Sequence, residues 1–247
     1  SAPSGAVFTM LTKVGIYAIL RTLGDVFAPA PPVLFEALGW IAAATMLFGV
    51  LGAAYHWDMR RILAFHIISQ IGYILLGIAL ATDTGNAATL FYTVHHILVK
   101  ANLFLVAAMI FRLTGSYDLR QAGGLYAARP ALAILFAVPA VSLVGIPPMS
   151  GFWSKLLILQ ETIAAGRFAW TAIALLVSVL TLYSMMKIWL EAFWRPHPDP
   201  GWQPARARLG PAWAATLGLA FVTLAISLNP EPLVAYAQAA ARTLGAR

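Results

Sequence analysis

The chain has 247 residues, 61% of them hydrophobic and only 10% charged, with a formal net charge of +7 and no cysteine. A soluble domain this long fills its core without so much apolar surface, and here the apolar residues come in runs of about 20, enough to cross ~30 Å of hydrocarbon. The composition excludes disulfides and thiolate-bound iron–sulfur centres, and the basic excess forms no aromatic-interleaved stripe for binding nucleic acid.

The opening "SAPSGAVFTML" lacks the charged region of a signal peptide and runs straight into a span. With no initiator Met, the chain is expected to be the later part of a longer protein. Spans are predicted near 5–22, 35–55, 62–81, 88–111, 131–165 (compound), 169–190 and 210–228. Backbone polar groups in hydrocarbon must pair within their own segment, so these runs are expected to be helices; no period-two alternation suggests a barrel. The expected fold is an all-α polytopic membrane protein of about seven spans. Two connections are long, "RLTGSYDLRQAGGLYAAR" and the proline-rich "RPHPDPGWQPARARLGP".

The third run holds "FHIISQIGY", with His66 beside Ser69 and Gln70, side chains that hydrogen-bond across membrane helices. A histidine here serves either as such a donor or as a relay. The fourth holds "TVHHILVKANLFLVAAMIF", in which Lys100 sits near the middle at an insertion cost of about 2.5–3.5 kcal/mol. His96 is one turn before Lys100 and shares its face, whereas His95 is rotated away by about 100°. Imidazole titrates near neutrality and relays protons. The fifth run, 35 residues long, is interrupted by Pro139, Gly145, Pro147, Pro148 and Gly151. The helix is expected to break near 145–151, as one discontinuous crossing with an ion site or as a hairpin of two short spans.

Counting the fifth run as one crossing, one side carries Arg60, Arg61, Arg112, Arg120, Arg129, Arg195, Arg206 and Arg208, the other Arg21, Arg167, Arg242 and Arg247. The excess places the first side in the cytoplasm. All twelve arginines fall in loops or at span ends, and all four lysines, Lys13, Lys100, Lys155 and Lys187, fall inside spans. Only lysine loses its proton readily on burial, so the sorting reads as proton carriers. The alternative is a static ion pair, expected for Lys187 with Glu191 at i+4. No carboxylate lies within a helical turn of the other three. A haem held by His66 with His95 or His96 is a further reading, which leaves the lysines without a role. "MLTKVGIYAILR" (10–21) and "SMMKIWLEAFWR" (184–195) echo one another, a faint sign of an internal repeat.

"LTKVGIYAILR" (11–21), "DMRRILAFHIISQIGYILLGI" (58–78), "FYTVHHILVKANLFL" (91–105), "VSLVGIPPMSGFWSKLLILQ" (141–160) and "SMMKIWLEAFW" (184–194) follow one another in order. Together they resemble the D-type subunit of the multisubunit Mrp-type Na⁺/H⁺ antiporters. Such subunits belong to the antiporter-like family shared with proton-pumping subunits of respiratory complex I and membrane-bound hydrogenases. The resemblance implies two inverted five-helix repeats, each with a broken helix, along a mid-membrane polar axis. Lys13 then matches the connecting lysine, Lys100 with His96 the core of the second half-channel, and Lys155 the terminal lysine beside the break; His95 joins them, with His66 and Lys187 as weaker candidates. The fifth run becomes one discontinuous crossing. Residues 1–34 are read as the last span of the first repeat with its connection, 35–195 as the second repeat, and 196–247 as a loop, final span and C-terminal tail. The earlier spans of the first repeat, with their glutamate and lysine, are not in the chain, which is not expected to transport alone.

The implied activity is proton conduction coupled to Na⁺ extrusion, without enzymatic chemistry, cofactor or metal. The implied setting is a hetero-oligomeric antiporter complex in a bacterial inner membrane. The alternatives are a proton-pumping subunit of a complex I-like or hydrogenase-like machine, and a passive scaffold.

Overall fold

The computed structural model describes residues 2–27, 30–205, 207 and 209–245. Arg206, Arg208 and Arg247, used in the charge count above, lie outside the described residues. The described chain is helical. Helix α1 (Ala2–Arg21) runs into a π-helical turn (Thr22–Val26) and is followed by α2 (Pro32–Tyr55), α3 (Met59–Ala79) and α4 (Asp83–Thr114). A 3₁₀ turn (Leu119–Gln121) and the short α5 (Leu125–Ala128) lead to α6 (Pro130–Val144), α7 (Ser150–Ala164) and α8 (Phe168–Ile188). Helix α8 continues as a π-helical turn (Trp189–Trp194), before α9 (Gly210–Leu228) and α10 (Glu231–Gly245).

Among the described residues, five helical stretches are long and apolar enough to cross a membrane: Pro32–Tyr55, Met59–Ala79, Asp83–Thr114, Phe168–Trp194 and Gly210–Leu228. The expected membrane architecture of about seven spans also counts the first helix and the compound run. Local chemistry explains the ends of the two central helices. Asp58 caps α3 by accepting from the N–H groups of Arg60 and Arg61, and Thr82 caps α4 by accepting from Gly85. Both satisfy donors that a helix start leaves free. The segment after α9, read from sequence as a C-terminal tail, forms a helix: α10 packs its Ala237 and Ala241 against Ala87 and Phe91 of α4. Its small apolar residues recur every four positions, which gives the helix one face to pack, although it is shorter than a membrane span.

The compound run resolves into α6 and α7. Pro139 does not stop the helix, which continues through it to Val144. The interruption falls after Gly145, whose φ of +89° suits a residue without a Cβ and whose N–H closes the helix on Val141 and Ser142. The restart at Ser150 brings Gly151 against the carbonyl of Ser142, so closely that any side chain at 151 would collide with it. The two short helices thus overlap where they meet.

The ends of this pair lie at opposite ends of the bundle. Before α6, the N–H of Gly124 bonds the carbonyl of Arg195 and that of Leu119 the carbonyl of Trp57, at the end where α2 stops and α3 starts. After α7, Glu161 accepts from Thr82 at the start of α4, and Arg167 pairs with Glu36 at the start of α2 at 2.6 Å.

Apolar packing divides the bundle into two sectors. One gathers Met59, Ile62, Leu103, Met109, Leu132, Phe136 and Phe193; the other gathers Met46, Ile74, Leu76, Ala88, Ile158 and Val177. On α3, α4 and α8 the stretch between the sectors carries polar residues turned inward, Ser69 and Gln70, His95 and His96, and Ser178 and Thr181, and α7 adds Ser154 and Lys155, the latter bonded to Ser178. Burial of polar groups is costly without partners, so this layer marks a place where packing gives way to another requirement.

Candidate functional site

The polar layer collects most of the residues singled out by sequence. Lys100, His66 and His96 are fully buried, and Lys13, Lys155 and His95 are nearly so. The sorting of basic residues recurs in space. All four lysines are buried, while every described arginine is exposed except the half-buried Arg21. Among the described residues no ion pair engages any lysine; the pairs are Arg60–Asp58, Arg120–Asp118, Arg167–Glu36 and Arg195–Glu191.

Lys155 lies one turn into α7 and reaches back across the break. Its Nζ donates to the carbonyl of Val144 at 2.7 Å and to Ser178 Oγ at 3.1 Å, and it stands 4.9 Å from the centre of the Tyr73 ring. Val144 ends α6, where carbonyls lack helical partners and carry the negative end of the helix dipole, so the break supplies the acceptor that a cation needs. Beside it, His95 Nδ1 and Ser150 Oγ lie 2.8 Å apart, as do Ser150 Oγ and Ser142 Oγ. A hydroxyl pair thus links α4 to both halves of the broken run. Ser227 of α9 accepts from the N–H of Ser150 at 2.7 Å and fixes the restart of α7.

Lys100 is less well held. Its Nζ has one protein acceptor, the Leu63 carbonyl, at 3.3 Å. Its charge acts on His66 and His96, and among the described residues both ring nitrogens of each are buried without a protein partner, as are the Nε2 of His95 and Gln70 and the side-chain amide of Asn102 elsewhere in the bundle. Such a concentration is uncommon, because each unpaired buried group costs on the order of 1–3 kcal/mol. Lys13 touches the neighbouring Thr12 hydroxyl at 3.1 Å, and its charge acts on both His96 and Lys100. The charge of Lys155 reaches His95 and His66.

The expected pair of Lys187 with Glu191 does not form. Lys187 Nζ donates to the carbonyls of Ala54 and His56, each at 2.7 Å, with the Trp57 and Tyr183 rings 5.3 and 6.0 Å away. Glu191 pairs with Arg195 instead, at 2.8 Å. Glu191 has a basic residue one helical turn away on either side, but the C-terminal carbonyls of α2 offer Lys187 fixed acceptors that require no second flexible side chain. Lys187 is therefore held by backbone carbonyls, and it lies outside the polar layer.

Several members of the layer were not prominent in the sequence. Tyr73 and Tyr92 stack with ring centres 5.6 Å apart, and Tyr92 meets His95 edge-on at 5.6 Å. Tyr92 donates to Gln70, and Tyr73 to the Ala174 carbonyl. Ser69 and Gln70, read as cross-helix bonders, bond to the Met46 carbonyl and to Tyr92. Ser142, Ser150 and Ser178 carry no local signal; only the helix break and the approach of α8 bring them in. Among the described residues no group of three His, Asp or Glu side chains converges to hold a metal.

The sequence model described as NADH:quinone oxidoreductase/Mrp antiporter, transmembrane, matches residues 1–181. The D-type subunit of the Na⁺/H⁺ antiporter of Alkalihalophilus pseudofirmus is 41% identical over 229 residues, 92% of this chain and 46% of the relative. A chain of the Mrp complex from Dietzia sp. DQ12-45-1b superposes with a TM-score of 0.89 at 37% identity, over 97% of this chain and 53% of that one. A chain of respiratory complex I from Thermus thermophilus superposes with a TM-score of 0.85 at 27% identity, over 98% and 52%. The chain spans about half the length of the relatives it matches. It belongs to the NADH:quinone oxidoreductase/Mrp antiporter family of membrane proteins.

Proposed function

We propose that these 247 residues form part of a cation/proton antiporter subunit, in which Lys13, Lys100 and Lys155 with His95 and His96 pass protons along the polar layer, coupled to Na⁺ extrusion. The layer itself carries this reading: among the described residues, buried lysines without carboxylate partners lie with unpaired imidazoles between two apolar sectors. A lysine held by neutral acceptors can lose its proton without stranding a buried carboxylate. The unpaired groups around it are those a proton crosses when ordered water links them. Moving charge from Lys13 displaces the proton equilibrium of Lys100, on which its charge acts, while Lys155 acts on His95 and His66. His66 is a weaker member and Lys187 an anchor. In this reading residues 1–34 end a first repeat, 35–195 form a second and 196–247 a closing segment, and the partners are the other subunits of an Mrp-type complex in a bacterial inner membrane.

Under the same reading, α6 and α7 make one discontinuous crossing, supported by their anchoring at opposite ends of the bundle. Labelling of Ala128→Cys and Ala165→Cys in the full-length, otherwise cysteine-free subunit should then occur from opposite faces; labelling from one face would replace the crossing with a hairpin. A second reading, a proton-pumping subunit of a complex I-like enzyme, is favoured by the match to the Thermus chain. Proton/Na⁺ exchange in vesicles without a redox substrate separates the two. In that assay Lys100→Ala and Lys155→Ala should fall to background, with Arg129→Ala near normal. Exchange retained in both lysine variants would leave a scaffold.

A further inference from the structure

Lys155 is held by a set of acceptors whose polarity can be worked out. Tyr73, fully buried on α3, donates its single hydroxyl proton to the Ala174 carbonyl. Its oxygen also lies 2.8 Å from Ser178 Oγ, so at that contact Ser178 must be the donor. With its one proton committed to Tyr73, Ser178 turns lone pairs toward Lys155 Nζ at 3.1 Å. The Val144 carbonyl is the second acceptor, at 2.7 Å, and the face of the Tyr73 ring, 4.9 Å away, is the third attraction. All three favour an ammonium over an amine. The hydroxyl chain ends on a carbonyl, which cannot take up a proton, so it holds Lys155 and does not conduct from it.

We propose that Tyr73 and Ser178 are positioning residues that seat the Lys155 ammonium and set the pH range over which this lysine exchanges its proton, an inference that rests on the proton-carrying role proposed for Lys155. The other titratable groups near the seat are few. Helix α3 brings His66 as well as Tyr73, and α4 brings His95 with Tyr92 beside it. Helices α6 and α9 carry no titratable side chain, and α8 carries Tyr183 and Lys187, farther along. On α7 itself, Glu161 accepts from Thr82. Among the described residues no carboxylate bonds to Lys155, so neutral acceptors hold its cation.

The test is the pH profile of Na⁺-driven proton exchange in vesicles containing the assembled complex with the full-length subunit. Removing an acceptor disfavours the cation, so Ser178→Ala should give up the proton at lower pH and move the profile toward acid by about one pH unit. Ser178→Thr, which keeps the hydroxyl, should return it. Tyr73→Phe keeps the ring but frees the Ser178 proton, and should move the profile in the same direction by less. If Ser178→Ala fails to assemble, Tyr73→Phe alone decides. Profiles of Ser178→Ala and Tyr73→Phe that superimpose on the parent overturn the seat, as does an equal displacement in Ser178→Thr. The Lys155→Ala control is separate: exchange persisting there overturns the role of Lys155 itself, whatever the hydroxyl variants show.

Discussion

Lys100 and Lys187 are two buried lysines in one bundle, and they are held in opposite ways. Lys187 has two carbonyls at 2.7 Å and two aromatic rings around its ammonium. Lys100, more deeply buried, has one carbonyl at 3.3 Å among the described residues, and its charge acts on the His66 and His96 imidazoles, which themselves lack protein partners there. Burial alone therefore does not distinguish these two lysines; the degree to which their partners are satisfied does, and Lys155, with two acceptors and one ring, is held nearly as fully as Lys187. A well-satisfied ammonium gives up its proton less readily. An under-coordinated one, among groups able to take or give a proton, can change state.

Substitutions can break this contrast, beginning at the under-coordinated end. His96 has both ring nitrogens without a protein partner and lies one turn from Lys100, so His96→Ala should slow exchange by about 100-fold, within the range of a lost acid–base group. His95 is tied to Ser150, and His95→Ala should slow exchange less, with Ser150→Ala reproducing its effect. A larger effect at His95 would move the relay to the helix break.

The saturated end should respond in stability. Lys187→Met leaves the Ala54 and His56 carbonyls without their donor and should cost about 1–3 kcal/mol, read as a lower melting temperature of the detergent-purified complex. Lys187→Arg keeps donors within reach and should cost less. Loss of exchange with unchanged melting in Lys187→Met would make Lys187 a carrier after all.

The smallest effects belong to the loops. Burial tends to raise the Asp58 carboxyl, but the Arg60 side-chain bond, then the N–H groups of Arg60 and Arg61 and the Arg60 charge, leave it below the usual range. A carboxyl lowered on folding adds stability above its unfolded value, near pH ~3.9, and that stability is lost as pH falls through the folded value. Asp58→Ala should cost about 1 kcal/mol at neutral pH through the lost cap. The difference from the parent should shrink below about pH 4.

The helices were legible because apolar run length and the need for internal backbone pairing leave few other choices. The break was legible in the proline and glycine cluster, although Pro139 proved compatible with the helix. The lysines were legible because their cost in a span demands a reason. What eluded the sequence were choices among partners of similar reach: Lys187 had Glu191 and the end of α2 within range, and the helical spacing names only the first. The serines at 142, 150 and 178 were invisible for a related reason. A hydroxyl can bond its own helix anywhere, as Thr181 does to the Val177 carbonyl, and only tertiary contact reveals one that does not.

The most direct test of the contrast keeps every charge in place. Arginine preserves the cation but stays protonated, with a pKa above about 12. Lys100→Arg, Lys155→Arg and Lys187→Arg should each be made in the full-length subunit, and proton-coupled Na⁺ exchange measured in vesicles with complex assembly checked alongside. The account predicts exchange near background for the first two, as low as with alanine, and near normal for the third. Near-normal exchange with arginine at both 100 and 155 would contradict it, because fixed charge would then suffice.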